Sequence, residues 1–75
     1  MIFQELEIVV LAVDLPEYGL QAGDMGTIVL VHSSGHGYEI EFTTVTGKTL
    51  AVVSVFADQV RPVAEHEIAH VRVLE

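Results

Sequence analysis

The chain has 75 residues, no cysteine and a net charge of −8, from eleven acids against three bases, and 51% of it is hydrophobic. That length allows one small domain, which buries only about 60% of the surface its unfolded form exposes. The missing cysteine excludes a disulfide framework, a thiolate nucleophile and a Cys-ligated metal, and the apolar fraction excludes an unfolded acidic tail.

The periodicity predicts a succession of strands. Leu6 to Val13 is rich in β-branched residues and reads as a strand buried on both faces for part of its length. Asp14 to Asp24 forms a long connection, in which Pro16 and Gly19 suit a type I turn closed by a residue at positive φ. Gly19, Gly23 and Gly26 all read as turn glycines, and Thr27 to His32 follows as the second strand. After a Ser-Ser-Gly turn flanked by His32 and His36, Tyr38 to Phe42 alternates cleanly. Tyr38, Ile40 and Phe42 belong to a dry face, Glu39 and Glu41 to a wet one. A hairpin over 43–47 leads to a fourth strand, Lys48 to Val55. Phe56 to Val60 suits a single helical turn, and Arg61 to Val63 a short last strand whose proline favours a sheet edge.

Five short strands, one long early loop and a helical turn before the last strand describe an all-β, SH3-like barrel over residues 1–63. Closure also protects strand edges in so small a protein. An open, twisted antiparallel sheet that dimerises is the alternative. Residues 64–75 form a C-terminal extension, either an extra strand or a short helix and a candidate oligomerisation element.

Four sets of residues carry a family resemblance. The segment Asp14 to Leu20 (DLPEYGL) precedes Gly23 to Val29 (GDMGTIV), and both precede Tyr38 to Phe42 (YEIEF) and Gln59 to Pro62 (QVRP). Together they resemble a family of small bacterial proteins, frequent in cyanobacteria, described as a domain of unknown function. The resemblance covers Glu5 to Val63; it implies a β-barrel-like domain and brings no catalytic residues. More loosely, the same pattern is similar to SH3-like barrels such as KOW modules, which usually carry basic surfaces.

Here the charge departs from that pattern. Lys48, Arg61 and Arg72 are the only bases and are scattered, whereas phosphate backbones and anionic membranes call for clustered Lys and Arg. Neither nucleic acid nor a membrane is an expected partner. The longest apolar run, Ile8 to Val13, is six residues, too short for a membrane span or a signal-peptide core. A cytoplasmic protein is the simplest expectation.

His66-Glu67-Ile68-Ala69-His70 spells the zincin motif H-E-x-x-H, in which a helix places two histidines on one face with a general base beside them. A catalytic zinc needs a third protein ligand, however, and only five residues follow His70. If the segment is a strand, as the alternation of Ala69, Val71 and Val73 suggests, His66 and His70 stand about 13 Å apart. They are weak metal candidates. No cofactor and no enzyme activity are expected, since Ser33, Ser34 and Ser54 lack a nucleophile context. His32 and His36 read as exposed turn residues.

What remains is a protein-interaction module. Its candidate binding residues are Glu17 and Tyr18 on the early loop, with Asp24, Glu39 and Glu41 completing an acidic surface. The partner expected is a cognate protein, with a basic one fitting the charge, and an antitoxin or immunity-type role as the alternative. Self-assembly through the barrel or its tail is a further possibility.

Overall fold

The computed structural model describes residues 3–74. Five strands form one antiparallel sheet: β1 (Ile8–Leu11), β2 (Met25–Val31), β3 (Gly37–Thr43), β4 (Thr49–Phe56) and β5 (Val60–Pro62). Their spatial order is β4-β3-β2-β1-β5. With the long early loop and a 3-10 turn at Ala57–Gln59 before β5, this is the SH3-like arrangement expected. Among the described residues no helix is long and apolar enough to cross a membrane.

The early loop turns where its sequence demands. Pro16 opens a 3-10 turn, Pro16–Tyr18, and Gly19 closes it at φ +71°, donating its N–H to the Pro16 carbonyl. Proline pre-sets the first corner and glycine takes the left-handed one at no steric cost. The turn is pinned by a bridge between Leu15 and Leu20, both buried in the core.

Alternation then sorts the central strands into two faces. On β3, Tyr38, Ile40 and Phe42 face inward, while Glu39 and Glu41 lie on the outer side. On β4, Val53 and Val55 are buried whereas Val52, Ser54 and Phe56 are exposed. A bulge in β2 between Ile28 and Leu30 resets the parity. Ile28 fills the core, Leu30 points outward opposite Glu39, and Val31 packs against the core again. Tyr38 is buried whole, its ring edge-on to Phe3 and its hydroxyl accepting the Phe3 N–H at 3.2 Å.

Four features differ from the expectations. Gly26 is not a turn glycine: it lies on β2, where a side chain would run into Ile40. The sheet is not closed by a hydrogen-bonded seam, because β4 and β5 are its two ends. Residues 64–74 form neither an extra strand nor a helix, only a turn at Glu65–His66 followed by irregular chain. The reason is that side chains, not a backbone ladder, hold this tail. Arg61 grips Glu67 through two bonds of 2.7 and 2.6 Å, and Glu67 also accepts the Ala64 N–H at 2.6 Å. Farther on, Arg72 donates to both Asp24 oxygens at 2.9 and 2.6 Å and to the Gly19 carbonyl at 3.1 Å.

Those fastenings stand on either side of β1, one on β5 and one just ahead of β2. Val10 of β1 lies between them, paired with Met25 and Arg61. It is 3% exposed although alternation turns it away from the core, so β1 is indeed buried on both faces. The fourth difference concerns Asp24. Its partial burial raises its pKa, but the Arg72 bonds, the Gln21 N–H and the Arg72 charge outweigh that and hold the carboxyl below its usual value. Its charge is spent inside the molecule.

The Arg61–Glu67 clasp has a pH signature. Bonds from Arg61, then from the Ala64 N–H, hold the Glu67 carboxyl down at about 2. A folded-state pKa below the unfolded one stabilises at neutral pH and loses that contribution as pH falls toward the folded value. The Ala64 amide resonance, followed by NMR, is therefore expected to titrate with a midpoint near 2. A midpoint at the ordinary glutamate value of 4.5 would show that the clasp is open in solution.

Candidate interaction face

The outer side of β2, β3 and β4 carries a continuous set of side chains whose order follows from the register. Leu30, Glu39 and Ser54 lie in one cross-strand row, and Thr27, Glu41 and Val52 in the next. Gly37 and Phe56 form a third row at the end of the sheet. Diagonal and direct neighbours on such a face are close enough to interact.

The middle of the face is a polar clasp. Glu39 Oε2 takes the Ser54 hydroxyl at 2.5 Å and lies 2.6 Å from His32 Nε2, so one carboxylate ties β3 to β4 and to the residue that follows β2. Bonds from Ser54, and then from His32, lower the Glu39 pKa against the opposing effect of its partial burial. Glu41 is engaged once, by the Thr49 hydroxyl at 2.6 Å. Both carboxylates keep oxygen lone pairs free for a further donor.

Gly37 makes room for the histidine. A Cβ there would stand 2.6 Å from His32 Nδ1 and 2.9 Å from the Val55 carbonyl, so only glycine lets the ring lie over the strand. Beside it a shallow groove of about 180 Å3 runs past Ser34, His36, Ser54 and Phe56. Phe56, 71% exposed, stands at one end of the face, and Leu30 and Val52 are also exposed. Exposed apolar side chains therefore border the two carboxylates on this face.

Serine, histidine and glutamate invite comparison with a catalytic triad. A nucleophilic serine needs a base on its hydroxyl, with the acid behind the base. Here serine and histidine both bond the same carboxylate oxygen, so the histidine does not stand between the serine and the acid. The arrangement is not the serine–histidine–acid relay of that triad.

The other sequence candidates fall elsewhere. Glu17 and Tyr18 are exposed on the early 3-10 turn. Tyr18 borders a second hollow of about 250 Å3 with Leu20, Leu50, Arg72 and Leu74. Asp24 is locked to Arg72. Of the five candidate binding residues, the cross-strand rows bring together only Glu39 and Glu41. His66 lies in the turn at Glu65–His66 and His70 in the irregular tail, so no helix places them on one face. Glu67, the would-be general base, is occupied by Arg61. Among the described residues no group of three histidine or acidic side chains converges as metal ligands would.

His32, Ser54 and Phe56 were not among the candidates. Ser54 and Phe56 share the parity of Val52, which is a signal the fourth strand does carry. His32 joins them only through the β2 bulge, which no pattern in Val29, Leu30 and Val31 announces.

A family model, Domain of unknown function (DUF4926), matches residues 5–62. The chain belongs to that family. The family match ends at Pro62, so it contains all five strands, the carboxylate rows and Phe56, and leaves the tail outside. No curated protein and no solved structure matches the chain.

Proposed function

We propose that this domain is a non-enzymatic protein-interaction module, acting in the cytoplasm, whose outer β2–β3–β4 face binds a cognate protein through basic side chains set among apolar ones. The observation that carries this reading is the pairing of Glu39 and Glu41 on one exposed face bordered by Leu30, Val52 and Phe56. The basic residues support it. Arg61 and Arg72 are committed to Glu67 and Asp24, and Lys48 sits on the hairpin before β4. A net charge of −8 with two of three bases so engaged repels phosphate backbones and attracts a cationic surface. An antitoxin-type role, masking a basic partner, is the narrower form of the same reading.

The test is affinity capture from lysate with the intact chain and with a Glu39→Gln/Glu41→Gln variant, whose amides keep the shape of both side chains. A partner held by the native chain is expected to be lost with the double variant and weakened as salt shortens the Debye length to a few ångströms. A Glu17→Gln variant should retain it. Equal capture by native and doubly substituted chains would remove the sheet face from consideration.

A further inference from the structure

Residues 64–74 lie on the domain without being folded into it. All of them are exposed, and among the described residues the core contains nothing after Val60. No backbone–backbone hydrogen bond among the described residues joins them to the strands. Their one such bond, from the Glu67 N–H to the Ala64 carbonyl at 3.2 Å, is internal. What seats the far end of the segment is a single arginine, Arg72.

The groups that receive Arg72 are built by the domain itself. The Asp24 carbonyl accepts the Leu11 N–H at 2.8 Å, and the Asp24 N–H donates to the Gln21 carbonyl at 3.0 Å. The Gln21 N–H donates back to Asp24 Oδ2 at 2.9 Å, which fixes the direction of the carboxylate. Arg72 Nε and Nη2 take its two oxygens side by side, and Nη2 also reaches the carbonyl of Gly19. That fork matches a guanidinium and not the single ammonium of lysine. Two residues on, Leu74 lines the hollow of about 250 Å3 with Tyr18, Leu20 and Leu50, while Val73 between them is 87% exposed. The site therefore reads arginine, then any residue, then leucine. Tyr18, Gly19, Leu20, Asp24 and Leu50 all fall within the family match at 5–62, whereas Arg72 and Leu74 fall outside it.

We propose that this is a second binding site of the domain, for an Arg-x-Leu segment of a partner protein, which the chain's own tail occupies as an autoinhibitory strap. An incoming arginine replaces Arg72 contact for contact, so Asp24 is never left unpaired. Exposed ion pairs hold little each, and a segment with no buried apolar side chain opens locally while the strands stay folded. A ligand then binds with an affinity reduced by the fraction of molecules whose strap is open. The site shares no residue with the rows that carry Glu39 and Glu41, so the two surfaces succeed or fail separately.

The amide shifts of Gly19, Leu20 and Asp24, followed by NMR in the full chain, test this. The probe is a synthetic peptide with the sequence of residues 69–74, AHVRVL. Arg72→Gln releases the strap without touching the core, and unmoved Ile28 and Ile40 amides verify that the sheet is intact. The variant is expected to bind the peptide about tenfold or more tightly than the native chain, whose own arginine competes. On the same variant, glutamine in place of the peptide's arginine should abolish the shifts, and serine in place of its leucine should weaken binding. A peptide that moves these amides in neither chain overturns the proposal. So does equal affinity for the two chains, or binding that survives loss of the peptide's arginine.

Discussion

Replacing Ile40 by alanine is expected to remove about 2–5 kcal/mol of folding stability, the usual range for truncating a buried large aliphatic side chain. Ile40 is wholly enclosed and sits at the centre of the sheet, opposite Ile28 on one side and Val53 on the other. A chain of 75 residues has roughly 4–11 kcal/mol in total at about 0.05–0.15 kcal/mol per residue. The loss is therefore a large share of everything that holds the fold. Thermal unfolding should fall by roughly 8–40 °C, at about 4–8 °C per kcal/mol for a domain of this size. Val52→Ala, on the outer face of β4, should change stability by no more than about 0.5 kcal/mol. If the two variants melt alike, the inward and outward assignments of β3 and β4 are wrong.

Gly26→Ala is the second large effect, and its sign is the informative part. At an unstrained position this substitution commonly stabilises by about 0.4–1 kcal/mol, because alanine restricts the unfolded chain. Here the added methyl group runs into Ile40 Cγ2, with the Glu41 carbonyl and Phe42 Cε1 each at 3.0 Å. Overpacking a filled site costs about 1–3 kcal/mol. Ile40→Ala removes the Cγ2 that causes the worst collision, so the double variant should lose less than the two single losses added together. Coupling of about 0.5–3 kcal/mol is typical of residues in contact. Additive losses in urea unfolding would mean that Gly26 and Ile40 do not touch.

How far the sequence foretold this structure depends on which interactions fix each part. The two faces of β3 were legible because Tyr38 to Phe42 alternates without interruption. The early turn was legible because Pro16 and Gly19 each have one strong conformational preference. Gly26 misled, since Gly-Asp-Met-Gly looks like a reversal, and only the pairing of β2 beside β3 shows that close packing, not a turn, requires the second glycine. The tail misled for a different reason. Its alternation of Ala69, Val71 and Val73 suits a strand, but those residues are exposed, and Arg61 and Arg72 decide its path through ion pairs, the second to an aspartate 48 positions away.

The candidate site divides in the same way. Glu39 and Glu41 could be placed on a wet face from their own strand alone. Their partners could not, because His32, Ser54 and Thr49 reach them through the registers of three strands, one carrying a bulge between Ile28 and Leu30. A bulge shifts every later side chain by one position, and an apolar run such as Val29 to Val31 hides it. Asp24 shows the converse. It reads as a free surface acid and is held by an arginine 48 positions away.

The interaction reading proposed above rests on one surface, the outer face of β2, β3 and β4. Zero-length cross-linking of the captured complex, joining carboxylates directly to lysine amines, tests that most directly. The account predicts that the peptides linked to the partner's lysines contain Glu39 or Glu41. Links confined to Glu17 on the early loop, or to Glu65 in the tail, would contradict it.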